Sequence, residues 1–212
     1  MNPIKVLQAA AMLLAACSTE QENAPLTADA RTVNFFADGQ SKTMRTPRGN
    51  YFTLIPEADS TFKLSWGSTS TNRVYNKPFD LLFAERISLE WESQEYLILH
   101  YWTGSNSWAE IILPLNATQQ VREVQNGRYF DGKQNLLVFE GFSGDTIFQV
   151  LNLTTNHQQP IIEQGRLCDA LTQSWCADTV YINSNSLCYT FSKQNGQDRL
   201  TSVVRRQHLT IE

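Results

Sequence analysis

The spacing of its turns constrains this chain more than any other feature. From Tyr51 onward, short β-branched and aromatic runs alternate with short segments rich in Gly, Pro, Asn, Asp and Ser. Runs 51–55 and 61–66 flank Pro56-Glu57-Ala58-Asp59, and runs 96–102 and 108–115 flank Thr103-Gly104-Ser105-Asn106-Ser107. Runs 136–142 and 146–153 flank Ser143-Gly144-Asp145. Further runs are 33–37, 79–84, 87–91, 180–183, 186–191 and 199–205, the last two around Asn195-Gly196. Glycine-containing turns between such runs signal hairpins. No stretch holds a helical period beyond a few turns, and 167–175 is the best short helix. The expected class is all-β.

Two parts of the sequence echo each other. Residues 96–120 line up with 136–159 at an offset of about 40, each copy giving a strand, a Gly turn, a second strand and an Asn/Thr-rich turn. Weaker copies begin near Tyr51 and Ser186. Leu97, Leu99 and Tyr101 fall on one face of run 96–102, and Tyr96, Ile98 and Trp102 on the other. Strands apolar on both faces belong in sheets covered on both sides. Such repeats resemble the blades of β-propellers, so the expectation is a propeller-like set of repeated antiparallel hairpins. A β-sandwich or barrel is the alternative.

The N-terminus carries a different signal. Lys5 is followed by an apolar run from Val6 to Leu14, broken by Gln8, and by small residues up to Cys17. This is the pattern of a secretory signal, too short to cross a bilayer as a helix. Leu14-Ala15-Ala16-Cys17 resembles the lipobox of bacterial lipoproteins. The resemblance implies cleavage before Cys17, a lipid on its thiol, and a membrane contact through that lipid. Residues 1–16 would then be a signal peptide, 17–31 a lipidated flexible tether, and 32–212 a single all-β domain. Residues 18–31 hold almost no bulky apolar side chain, as suits a tether. Ser18, in place of the Asp that resembles an inner-membrane retention signal, points to the outer membrane, facing the periplasm.

Removing residues 1–16 takes away Lys5, the one charged side chain among them, so 17 basic residues become 16 against 21 acidic, a balance of −5. A mildly acidic chain has no general attraction for nucleic acid. Three cysteines remain beyond Cys17, and an exported protein meets an oxidising compartment. Cys168 and Cys176 bracket a short loop, whereas Cys188 sits in a strand, where a cysteine is more often buried than paired. A Cys168–Cys176 disulfide is therefore favoured over Cys176–Cys188. With no CxxC spacing and no nearby His, no zinc site is expected, and nothing in the sequence calls for another metal or a cofactor.

No catalytic motif survives its context. Ser60 and Lys63 match Ser-x-x-Lys, but on a strand they face opposite ways and the partner motifs are missing. Gly141-Phe142-Ser143-Gly144-Asp145 reads as a hairpin turn. His100 shares a face with Ile98 and Trp102 and reads as a packed core or rim residue, while His157 and His208 fall in a turn and near the C-terminus. Acidic residues such as Glu90, Glu92, Glu110, Glu123 and Glu140 are scattered, and nothing pairs them. Trp102 and Trp108 flank one hairpin loop and are the binding candidates. The expected function is a lipid-anchored envelope module that binds or scaffolds, with an envelope protein or glycan as partner. A hydrolase acting on glycan or peptide, or a lipid carrier with a barrel cavity, are the alternatives.

Overall fold

The computed structural model describes residues 40–57, 61–104, 107–142, 145–164, 173–194 and 200–211, all within the unit Asn34–Glu212. Cys17, the tether, run 33–37 and Cys168 lie outside the described residues. The described chain is all-β and folds into four antiparallel sheets, each completed before the next begins. The first holds β1 (Lys42–Arg45), β2 (Tyr51–Pro56), β3 (Thr61–Gly67) and β4 (Asn72–Asp80). The second holds β5 (Ser88–Glu92), β6 (Tyr96–Trp102), β7 (Trp108–Pro114) and β8 (Arg122–Gln125). The third holds β9 (Gly127–Asp131), β10 (Leu136–Glu140), β11 (Thr146–Asn152) and β12 (Gln158–Ile162), and the fourth β13 (Ala177–Asn183), β14 (Ser186–Gln194) and β15 (Leu200–His208). Within each sheet, neighbours in sequence are neighbours in space. This is an all-β series of repeated antiparallel hairpins, consistent with a propeller-like or sandwich-like fold. The echoed segments form the hairpins β6–β7, with Tyr96 opposite Pro114, and β10–β11, with Leu136 opposite Asn152. Among the described residues each sheet keeps two edge strands, so no closed barrel forms.

Three apolar clusters set the order of the stack. Phe52, Leu54, Phe62, Leu64 and Trp66 of the first sheet pack with Leu97, Leu99, Ile111 and Leu113 of the second. The other face of the second sheet, Tyr96, Ile98 and Ile112, packs on Leu137, Phe139 and Leu151 of the third. The third sheet turns Val138, Phe148 and Val150 to Leu187, Tyr189 and Phe191 of the fourth. The second and third sheets are thus apolar on both faces, as the alternation in 96–102 requires.

Carboxylates join neighbouring sheets beside these clusters. Glu92 on β5 accepts hydrogen bonds from Thr46 Oγ1 (2.5 Å), Asn50 Nδ2 (3.0 Å) and the Arg48 amide (3.2 Å), all in the β1–β2 turn. That turn needs Gly49, whose φ is +84°. Glu123 on β8 takes Lys77 Nζ at 2.7 Å and Tyr75 Oη at 3.1 Å from β4. Glu163, just past β12, accepts from Tyr189 Oη and Arg205 Nε of the fourth sheet.

Three sequence expectations need correction. Run 79–84 is not one strand: Phe79 and Asp80 end β4, and Leu81–Arg86 is a 3-10 turn. Of the expected helix 167–175, the described part is a 3-10 turn, Gln173–Cys176. β1, β8, β9 and β12, and β4 before Phe79, were not expected as strands. They are edge strands, where charged residues such as Lys42, Arg45 and Arg122 discourage pairing with other chains.

Candidate functional site

The chain passes from the second sheet to the third through one residue, Asn126, between β8 and β9. Its φ of +53° is left-handed, a region that Asn tolerates better than most residues. Its amide N donates to Trp108 O (3.0 Å), and its Oδ1 accepts from the Trp108 amide (3.2 Å). Its Nδ2 donates to Glu140 Oε2 at 2.7 Å. The next amide, Gly127 N, donates to Glu110 Oε2 at 2.6 Å. A Cβ on Gly127 would come within 2.5 Å of the Glu110 carboxyl carbon, so glycine is what allows this approach. Two wholly buried carboxylates, Glu110 on β7 and Glu140 on β10, are thereby fastened to one chain crossing.

Their surroundings differ. Glu110 Oε1 lies 3.3 Å from His100 Nδ1, its direct cross-strand neighbour. Burial, with a smaller contribution from Glu90, pushes the Glu110 carboxyl up to about 7, and the Gly127 amide only partly offsets this. Burial also lowers His100, so the imidazole is held neutral. Glu140 Oε2 accepts a second bond from Trp175 Nε1 at 3.2 Å, and Arg128 lies 3.5 Å from Oε1 while donating to Ala177 O at 2.9 Å.

Trp102 and Trp108 face each other across β6–β7 with ring centroids 5.7 Å apart, edge to face. His100 completes the cluster at 5.5 Å from Trp102 and 6.1 Å from Trp108. Trp108 is fixed by its Nε1 bond to Gly127 O (3.3 Å) and is half-buried. Trp102 is 41% exposed. Trp175 and Phe142 are exposed at 46% and 62%. An aromatic ledge thus stands over a buried polar network.

Sequence reasoning named both tryptophans but missed their supports. The signal was present: counting outward from the 103–107 turn puts Trp102 opposite Trp108 and His100 opposite Glu110, and Asn126-Gly127 is a turn dipeptide. His100 is a rim residue, as read. Glu92, Glu110, Glu123 and Glu140 each serve a contact between chain segments. Lys63 pairs with Glu57 at 2.5 Å, and Ser60 lies outside the described residues. Cys188 is free and buried, and Cys168 of the expected Cys168–Cys176 link lies outside the described residues. Among the described residues no His/Cys/Asp/Glu group could hold a metal, and no helix is long and apolar enough to cross a membrane. No family model matches the chain, and no curated protein matches it.

Proposed function

We propose that this protein is a lipid-anchored module of the bacterial envelope that binds a partner along the seam between its second and third sheets. The observation that carries the reading is the aromatic ledge. Exposed Trp102 leans on Trp108 and His100, which are anchored through Gly127 and Glu110. Aromatic side chains with polar handles, held in place before binding, give contact area at little entropic cost. The anchor is Cys17, within its lipobox-like segment, and several acyl chains give the stable hold that one chain lacks.

Two measurements test this. Wild type should incorporate fatty acid, and Cys17→Ala should not; a wild-type protein without label removes the anchor. A photo-crosslinker placed at Trp102 should capture a discrete envelope partner, whereas one at outward-facing Val74 or Val204 should not. Equal capture from all three positions would defeat the seam as binding surface. The hydrolase reading draws support from His100 and Glu110, which resemble a base and the carboxylate that orients it. It requires glycan or peptide cleavage that His100→Gln abolishes; without cleavage by wild type the reading falls.

A further inference from the structure

We infer that the step where β8 overhangs the third sheet is a strand-addition site for an extended acidic peptide, an inference that rests on the binding-module reading above. β8 is an edge of its sheet, so backbone groups on its far side have no ladder partner. Beside it runs a groove of about 510 Å³ lined by β8 and by Phe139, Phe142 and Leu151. A second hollow, of about 200 Å³, adjoins it through Arg122, which lines both. Ligand sites commonly measure roughly 300–1,000 Å³.

Alternation along β8 decides which charge the groove presents. Arg122 and Val124 pair with Ile112 and Glu110, residues on the face toward the third sheet, and Val124 packs into that apolar cluster. Glu123 points the other way and is occupied by Lys77 and Tyr75. The charge that β8 offers the groove is therefore Arg122. It is partly buried and, among the described residues, makes no hydrogen bond or ion pair. Guanidinium stays charged and offers a planar fork suited to a carboxylate.

An added strand would satisfy the free edge with its backbone. On the face toward the third sheet, apolar side chains would rest on Phe139, Phe142 and Leu151, and a carboxylate two residues away on the same face would meet Arg122. A basic strand would leave Arg122 facing a like charge.

The probes are fluorescein-labelled hexapeptides added to the full chain in detergent and read by anisotropy. One, Val-Thr-Glu-Thr-Val-Thr, sets Val and Glu on one face; one has Lys in place of the Glu; and the third is the Val/Glu peptide N-methylated at alternate residues. The Val/Glu peptide should bind at least about tenfold more tightly than either of the others, equivalent to about 1.4 kcal/mol. Arg122→Glu should reverse the charge preference. If that variant does not fold, Arg122→Gln should erase the preference. Equal binding of the N-methylated peptide, an unchanged preference in the variants, or no binding by any peptide would overturn the inference. Crosslinking from position 102 reads the broader binding proposal independently. Its persistence alongside peptide failure removes only the strand site.

Discussion

The two middle sheets and the two end sheets are built as the same meander but from different residues. Every inner strand of the middle sheets carries bulky side chains on both faces: on β6, Leu97 and Leu99 point to the first sheet and Tyr96 and Ile98 to the third. The end sheets are apolar on one face. Their outward faces carry cross-strand rows of small hydroxyl residues ending in valine: Thr43, Thr53, Ser65 and Val74 at one end, and Thr179, Thr190 and Val204 at the other. Thr43 and Thr53 hydrogen-bond at 2.8 Å, and Thr179 and Thr190 at 2.6 Å. A face that satisfies its own polar groups needs no neighbour. The place of a sheet in the stack is therefore written in alternate residues of its central strands, as terminal repeats of stacked proteins differ on their outer side.

The largest effect should come from breaking this contrast at a middle sheet. Ile98→Ala or Leu137→Ala should each cost about 2–5 kcal/mol, because a buried side chain leaves a cavity between sheets. Thr53→Ala and Thr190→Ala, on the outward faces, should each cost no more than about 1 kcal/mol, the loss of one cross-strand hydrogen bond. Urea midpoints at a constant denaturant slope measure both. Comparable losses at inner and outward positions would show that the end faces are covered in solution.

The second effect is electrostatic and belongs to the seam between the middle sheets. Burial raises the Glu110 carboxyl from an ordinary glutamate value of 4.5 to about 7. Between these values the unfolded chain ionises while the folded one keeps its proton, so this group contributes stability below pH 4.5 that is lost as pH rises to about 7. The loss amounts to about 3 kcal/mol. His100, whose pKa is lowered, works in the opposite sense: it contributes stability above pH 6.5 that falls away as the unfolded histidine protonates. The two partly mask each other, and the difference between wild type and Glu110→Gln isolates the carboxyl. Relative to the variant, wild type should lose stability from pH 4.5 to 7 and then level off. A difference independent of pH would mean that Glu110 is ionised throughout.

The same contrast explains what could be read from the sequence. Hairpins of the middle sheets were legible because their strands are continuous runs of bulky residues broken by Gly turns, as in 96–115 and 136–153. The edge strands β1, β8, β9 and β12, and most of β4, were not, because segments such as Lys-Thr-Met-Arg and Arg-Glu-Val-Gln bury little and become strands through their neighbours' ladders. The ledge was legible at Trp102 and Trp108. Its support by Glu140 and Trp175 was not, because those residues meet only when the third and fourth sheets stack, and no local period records that distance. The β4 boundary failed for a related reason: Leu81, Leu82 and Phe83 are apolar enough to extend a strand, yet the chain bends there into a 3-10 turn leading to the second sheet.

The smallest effect concerns the fourth sheet, covered by a neighbour on one face. Cys176 ends the 3-10 turn just before β13, while Cys188, in register between Tyr181 and Arg206 on the outward face of β14, is free and buried. We propose Cys168 as the partner of Cys176. The closed loop is short, so the chain-entropy account gives about 2.5 kcal/mol, and a substitution that relaxes the unfolded chain should realise no more than that. Non-reducing peptide mapping of protein from the envelope should return Cys168 linked to Cys176, with Cys188 alkylated only after unfolding. Reductant should lower the melting temperature of wild type and leave the Cys168→Ser, Cys176→Ser double variant unmoved. Both proteins should keep the contrast between Ile98→Ala and Thr190→Ala, because the link acts at the end of the stack and the apolar seams act within it. A Cys176–Cys188 peptide would overturn the pairing and would require β14 to turn its outward face toward the 3-10 turn.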